Sequence, residues 1–259
     1  MTFQCLLLSK PSIPSYSLPY FWASAKTYYE ENSNHVQDWA WPLPSIDYTS
    51  VESVVSDIVK LNPTVIGFSL YVWNEKLFND VAKELKNINS NFIIVFGGPQ
   101  CNIKYNENYF SDKPYVDLVV PGDAYGEIVL KEILDSISRN SGQLNVIDVP
   151  YSYHPTTNRA ITYNNISIDK KGFKWPKNVF AAQEEQLLEY LKTIEKPVWV
   201  LIETSRGCPY KCSFCDWGGG IYTKTIKKDF STVLGEIEWL AKNQVEGIFV
   251  TDANFGLFD

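Results

Sequence analysis

Eight consecutive residues carry three of the chain's five cysteines, Cys208, Cys212 and Cys215, in the order C-x3-C-x2-C. That spacing lets three thiolates from one short loop converge on a cube-shaped iron–sulfur cluster and leaves one iron without a protein ligand. An open iron is a place for a substrate to bind. Three clustered cysteines can also hold zinc, although a closed structural zinc site wants a fourth ligand. The other candidates, Cys5, Cys101, His35 and His154, stand singly in other segments. The zinc clip is therefore the competing reading, and it predicts a colourless protein.

The stretch from Glu203 to Gly218 carries more than its cysteines. An apolar strand from Val198 to Ile202 leads in, Arg206-Gly207-Cys208-Pro209 opens the loop, and the aromatic Phe214 stands just before the third cysteine. This wording resembles the radical S-adenosylmethionine (SAM) superfamily, whose [4Fe–4S] cluster binds SAM through its amino and carboxylate groups at the fourth iron. It is most similar to the subgroup in which a cobalamin-binding domain precedes the radical SAM domain. The resemblance implies Cys208, Cys212 and Cys215 as metal ligands and Phe214 beside the adenine of SAM.

The upstream elements must position this loop. Phe3 to Ser9 reads as a buried first strand, followed by a Pro/Ser loop (Pro11, Ser12, Pro14, Ser15) and a helix from about Leu18 to Glu31. A second strand is expected from His35 to Trp41, closed by Pro42 and Pro44. Val51 to Leu61 is amphipathic, Thr64 to Val72 is β-branched and aromatic, and Asn74 to Asn89 has Leu77, Phe78, Val81 and Leu85 on one face. Strands at Phe92 to Phe96 and Val116 to Val120 follow, then a helix from about Tyr125 to Ser138. Such alternation predicts an α/β domain, a doubly wound parallel sheet of Rossmann or flavodoxin-like type, over residues 1–140.

Ligands of such sheets bind outside the carboxyl ends of the strands. Those ends read Ser9-Lys10-Pro11, Ser69-Leu70-Tyr71, Gly97-Gly98-Pro99 and Gly122-Asp123. They suit close backbone approach by a flat cofactor, and they are equally ordinary turn chemistry. Together with Ile66-Gly67-Phe68-Ser69 and the run from Asp117 to Glu127, they resemble the cobalamin-binding domain of the same subgroup. The resemblance implies that Ser69, Gly97 and Gly98 face the nucleotide tail or corrin. The family's Asp-x-His-x-x-Gly loop is missing here, so the cobalamin is expected to lack a histidine lower ligand.

From residue 141 to 195 the rhythm changes. Val146 to Val149 and Ala160 to Ile168 read as short β pieces of a hairpin bridging two domains, and Gln183 to Ile194 as a short helix with Glu184, Glu185 and Glu189 on a solvated face. Residues 196–259 are expected to form the first two βα units of a partial barrel. After Gly218-Gly219-Gly220, Lys224, Lys227 and Lys228 read as a solvated turn. Asp229 would cap a helix from Phe230 to Asn243 that buries Val233, Leu234, Ile237, Leu240 and Ala241. A strand from Gly247 to Thr251 then ends in Asp252-Ala253-Asn254; by the resemblance, Asp252 and Asn254 help hold the amino group of SAM, and capping the next turn is their ordinary alternative. With two strands of the barrel supplied, the chain is expected to be a fragment, half of a split enzyme or a remnant.

The bulk numbers agree with one or two domains: 259 residues, 23 Lys and Arg against 30 Asp and Glu, and a net charge of -7. That balance argues against nucleic acid as partner, because phosphate binding relies on clustered cations; a small molecule, lipid or peptide is the expected substrate. The first apolar run is too short for a signal peptide, no run approaches a membrane span, and the odd cysteine count reads as reduced and cytoplasmic. The resemblance implies reductive cleavage of SAM with electrons from a donor such as flavodoxin or ferredoxin, and, with cobalamin, methyl transfer to carbon. A second chain could supply the rest of the barrel. A rival class is a cobalamin or small-ligand binding module with a non-catalytic cluster or zinc loop.

Overall fold

The computed structural model describes residues 2–12, 18–43, 48–101, 103, 106–122, 126–166, 173–194, 197–210, 212–215 and 225–256. Pro14, Ser15, Pro44, Asp123, Ala124, Tyr125, Lys211, residues 216–220 and Lys224, all named above, lie outside them. The chain divides into two compact units, residues 1–12 with 28–173 and residues 13–27 with 174–259.

In the first unit the chain runs through β1 (Phe3–Leu8), the end of α1 (Tyr20–Asn32), β2 (Trp39–Ala40), α2 (Val51–Leu61), β3 (Val65–Ser69), α3 (Glu75–Ile88), β4 (Ile93–Gly97), α4 (Tyr109–Asp112), β5 (Leu118–Val119), α5 (Gly126–Arg139), β6 (Ser152–Pro155) and β7 (Ile161–Asn164). The strands form one sheet in the order β2-β1-β3-β4-β5-β6-β7. The first five are parallel, and β6 and β7 add antiparallel at one edge. The expected doubly wound α/β sheet is present.

The central strands β1, β3, β4 and β5 are buried on both faces, which is why they read as continuous apolar runs rather than alternating ones, whereas the edge strand β7 is partly exposed. Leu6, Leu8, Ile66, Phe68, Ile94, Phe96 and Val119 point into one core with Val54, Ile58, Phe78, Val81 and Leu85 from α2 and α3. The alternate residues Cys5, Leu7, Val65, Val95 and Leu118 are as deeply buried but outside that cluster, as are Val129, Ile133, Leu134 and Ile137 of α5. Full burial of each such aliphatic or aromatic side chain contributes about 1.5–3 kcal/mol. Helix α2 is closed at both ends: Ser50 Oγ accepts from Ser53 N at 3.1 Å, and Asn62 adopts the left-handed conformation at its C-terminus.

Two expected strands are otherwise. Of His35–Trp41, residues Val36–Asp38 form a 3-10 turn and only Trp39 and Ala40 pair with β1. Val146–Asp148 is likewise a 3-10 turn. In both, a polar residue closes on an Asp three positions later: His35 Nδ1 lies 3.1 Å from Asp38 Oδ2, and Asn145 Nδ2 donates to Asp148 Oδ2 at 2.9 Å. Such local bonds compete with a sheet ladder and win where strands are short. The hairpin itself is β6 and β7, and it extends the first unit's sheet. The short α4 had no sequence signal.

The second unit contains α6 (Val179–Ala182), α7 (Glu184–Leu191), β8 (Trp199–Ile202), β9 (Ser205–Arg206), β10 (Ile226–Lys227), α8 (Phe230–Lys242) and β11 (Gly247–Val250). Strands β8 and β11 are parallel neighbours joined through α8, and β9 pairs antiparallel with β10. Leu18 bridges to Val200 on the other side of β8. Gly247 faces Trp199, whose ring would lie 2.3 Å from any added Cβ, so only glycine fits that register.

Helix α8 turns a different face inward from the one expected. Leu234 and Ile237 are exposed, as is Ala241; Leu240 is buried as expected, and Glu236 and Trp239 are buried beside it. The cause is Lys228, expected in a solvated turn but 1 % exposed. Its Nζ donates to Glu236 Oε1 and Oε2 at 2.9 Å each and to Tyr20 Oη at 2.9 Å, and lies 5.1 Å from the ring centre of Trp175. Trp239 stacks on Phe180 at 5.4 Å and donates to Glu184 Oε1 at 3.1 Å. A buried ion pair demands its partner, and that demand sets the rotation of the helix. Asp229 stands at the N-cap without a side-chain capping bond; its carboxylate accepts from Ser231 Oγ at 2.6 Å.

Candidate functional site

The cysteine loop leaves β8 and returns through β10 to α8. Its entry is fixed by the end of β11. Thr251 N and Oγ1 donate to Ile202 O at 2.9 and 3.0 Å. Asp252 Oδ1 accepts from Thr204 N at 2.7 Å, and Oδ2 accepts from Ser205 Oγ at 2.9 Å and from Thr204 Oγ1. Asn254 Nδ2 then donates to Cys208 Sγ at 2.8 Å. Bonds to a carboxylate are roughly twice as strong as neutral ones, so Asp252 is the firmest of the three ties. A carboxylate has about four lone-pair sites, and three donors leave Asp252 room for a fourth.

The loop continues from β9 through Gly207, whose φ of +98° is a left-handed turn that glycine adopts without strain. Beside it the Arg206 guanidinium lies 4.6 Å from the ring centre of Trp175 and pairs with Glu203 at 2.5 Å. All three cysteines are free thiols: Cys208 buried, Cys212 exposed and Cys215 between them. Cys215 N donates to Cys212 O at 3.2 Å, closing a turn. Phe214 is 90 % exposed and Tyr210 also faces outward. Among the described residues no three His, Cys, Asp or Glu side chains gather closely enough to hold a single metal ion. A cube-shaped cluster asks for something different, because each thiolate binds a separate iron and the sulfurs stand wider apart. Three unpaired thiols on one loop, one of them receiving an amide N–H, fit that donor set.

The first unit's strand ends form a second candidate surface. Asn74, which the sequence did not single out, is fully buried: Oδ1 accepts from Tyr71 N at 2.8 Å, and Nδ2 donates to Ser69 O at 3.1 Å and to Lys10 O at 3.4 Å. Trp73 Nε1 donates to the same Lys10 carbonyl at 3.0 Å, and its ring stacks on Tyr71 at 4.6 Å. The loops after β1 and β3 are thereby tied together beside a half-exposed indole. An exposed Trp right after a strand was the available signal.

Ser69, Gly97 and Gly98 come together here. Leu70 N donates to Gly97 O at 2.7 Å, and Gln100 N to Leu70 O at 3.3 Å. Gly98 has φ +94°, and a Cβ on it would lie 2.8 Å from Leu70 O and 3.2 Å from Ser69 Oγ. A Cβ on Gly122 would meet Gly98 O at 2.2 Å. Loop-to-loop packing therefore already requires Gly98 and Gly122. The two histidines are engaged locally, His35 with Asp38 and His154 with the Pro155 carbonyl at 3.3 Å. Burial pushes the Cys5 and Cys101 thiols far up; Lys113 slightly opposes this at Cys101.

The family model for the B12 binding domain matches residues 24–134. The cobalamin-dependent radical SAM methyltransferase TokK of Streptomyces tokunonensis is 30% identical over 240 residues, which are 93% of this chain and 34% of that protein. The 2-(S-pantetheinyl)-carbapenam-3-carboxylate methyltransferase of Streptantibioticus cattleyicolor is 28% identical over the same shares. The chain thus spans about a third of the length of these curated relatives. Among solved structures, the cobalamin-dependent SAM radical enzyme OxsB with aqua-cobalamin and SAM bound superposes with a TM-score of 0.69 at 17% identity, over 98% of this chain and 34% of that one. The methyltransferase TsrM of Kitasatospora setae, with tryptophan and a SAM analogue, gives 0.66 at 16% identity, over 99% and 48%. At those identities the superpositions speak for the fold. Residues 24–134 thus match the B12-binding domain family, and along 93% of its length the chain is homologous to a stretch that makes up about a third of a cobalamin-dependent radical SAM methyltransferase.

Proposed function

We propose that this chain is the cobalamin-binding and cluster-binding part of a cobalamin-dependent radical SAM methyltransferase acting at carbon. The observation that carries the reading is a three-thiol loop of the right donor type in a chain that aligns over 93% of its length with a methyltransferase of that kind. The division into residues 1–140 for cobalamin, 141–195 as connection and 196–259 as the start of the catalytic barrel belongs to the proposal.

Cys208, Cys212 and Cys215 would hold the [4Fe–4S] cluster. When bound, the cluster supplies the electron for reductive cleavage of SAM and cobalamin supplies the methyl group. The chain's own contribution is orientation. Thr251 and Asp252 fix the entry of the loop, Phe214 offers an exposed face for adenine, and Asp252 has a lone pair left for the amino group of SAM. Ser69, Gly97 and Gly98 would face the nucleotide tail or corrin, with the Trp73 indole as a flat wall beside them. No histidine stands in the loop after β1 to serve as lower ligand. A small-molecule substrate, a flavodoxin or ferredoxin as electron donor, a further chain or segment completing the barrel, and a cytoplasmic setting go with this reading. Among the described residues no helix is long and apolar enough to cross a membrane.

Cys212→Ala tests it. Iron loading and SAM cleavage are expected to disappear together while cobalamin retention stays as in the wild type; SAM cleavage by the variant would sink the assignment.

A further inference from the structure

The side-chain amide of Asn254, which the resemblance places near SAM, faces a sulfur. Asn254 Nδ2 lies 2.8 Å from Cys208 Sγ. Cys208 is the most enclosed of the three loop cysteines, 9 % exposed, whereas Cys212 faces solvent. Water can solvate charge on the exposed sulfur but hardly on the enclosed one, so the amide N–H is what compensates it there.

We propose that Asn254 is a positioning residue that sets the reduction potential of the cluster through Cys208, an inference that rests on the cluster assignment above. A hydrogen bond to a ligating sulfur withdraws electron density from it. The reduced cluster carries one more negative charge than the oxidised one, so the bond stabilises the reduced form more and raises the potential. In the reduction itself, without SAM, one electron passes from an external one-electron donor to the cluster and no bond is made or broken. Asn254 can hold this distance because Thr251 and Asp252, three and two residues before it, clasp Ile202, Thr204 and Ser205. The sulfur and its donor are thus carried by two segments fixed to each other by adjacent bonds.

The test is a redox titration of the reconstituted cluster, followed by its visible and paramagnetic signals, in the wild-type protein and in Asn254→Leu, Asn254→Asp and Asn254→Ser. Asn254→Leu removes the donor and is expected to shift the midpoint to more negative potential. Asn254→Asp puts a carboxylate against the sulfur and is expected to shift it further, and Asn254→Ser keeps a hydroxyl donor and is expected to recover part of the loss. Loaded variants with the wild-type midpoint would overturn the inference and leave the cluster assignment standing. Loss of the cluster from all three variants, with the wild type loaded, would mean that Asn254 is needed for assembly and does not tune the potential. A wild-type protein that takes up no cluster would overturn both.

Discussion

The two candidate surfaces are held in opposite ways. In the first unit the loops after β3, β4 and β5 pack backbone against backbone, with Gly98 and Gly122 admitted only because they lack a Cβ, and the buried Asn74 and the Trp73 indole tie in the loop after β1 through its Lys10 carbonyl. They stand on a sheet buried on both faces. In the second unit the cysteine loop stands on two-stranded sheets and is fixed by the side chains of Thr251, Asp252 and Asn254. A surface held by backbone tolerates most side-chain changes and fails at its glycines. One held by polar side chains can be loosened one bond at a time, which would suit the cluster-wrapping role proposed for the loop.

The largest effect should come from the buried ion pair of the second unit. Lys228→Met leaves Glu236 buried without its cation and is expected to cost about 3–5 kcal/mol, whereas Lys228→Met with Glu236→Leu should restore stability to near or above that of the wild type; denaturant melts of the three proteins decide. Burial pushes the Glu236 carboxyl above its ordinary 4.5, with the Lys228 ammonium pulling it down. Without Lys228 the folded value rises further. The single variant's deficit should therefore be smallest well below the unfolded value of 4.5, where the carboxyl is protonated in both folded and unfolded chains, should grow as pH rises from there through the raised folded value, and should level off above it. A pH-independent deficit would contradict the burial argument.

Next in size, Gly98→Ala combines a left-handed backbone with a 2.8 Å approach to Leu70 O and is expected to cost about 3 kcal/mol. It should weaken cobalamin retention without touching iron loading. Asp252→Ala frees Thr204 and Ser205 and is expected to cost about 2 kcal/mol in the second unit, lowering iron uptake while cobalamin binding stays unchanged. If both variants impaired both cofactors equally, the contrast between the two surfaces would fail.

The smallest and simplest effect is chemical. Brief maleimide treatment of the cluster-free protein should label Cys212 first and spare Cys5 and Cys101, whose thiols burial holds protonated. Labelling of all five at one rate would mean that the first unit's core is open.

How far the sequence could be read follows the same contrast. The first unit's strands and helices were legible because a sheet buried on both faces writes unbroken apolar runs such as Ile93–Gly97 between amphipathic helices such as Val51–Leu61. The turns at Val36–Asp38 and Val146–Asp148 were not, because a single polar contact to an Asp outbids two or three apolar residues. In the second unit α8 carries two possible inner faces, and only Lys228, eight residues upstream of Glu236, decides between them. The cysteine spacing singled out the loop as a candidate site. Nothing in the spacing announced that Asn254 would reach Cys208, since 46 residues separate them and the strand pairing of β8 with β11 creates the contact.

The central claim, that one chain carries both a cobalamin surface and a cluster loop, is tested by anaerobic reconstitution with iron, sulfide and cobalamin, followed by metal counting and a paramagnetic spectrum with and without SAM. The account predicts about four irons and one cobalamin per chain, with a cluster signal that changes when SAM is added. One zinc with no iron, or iron whose signal ignores SAM, would contradict it.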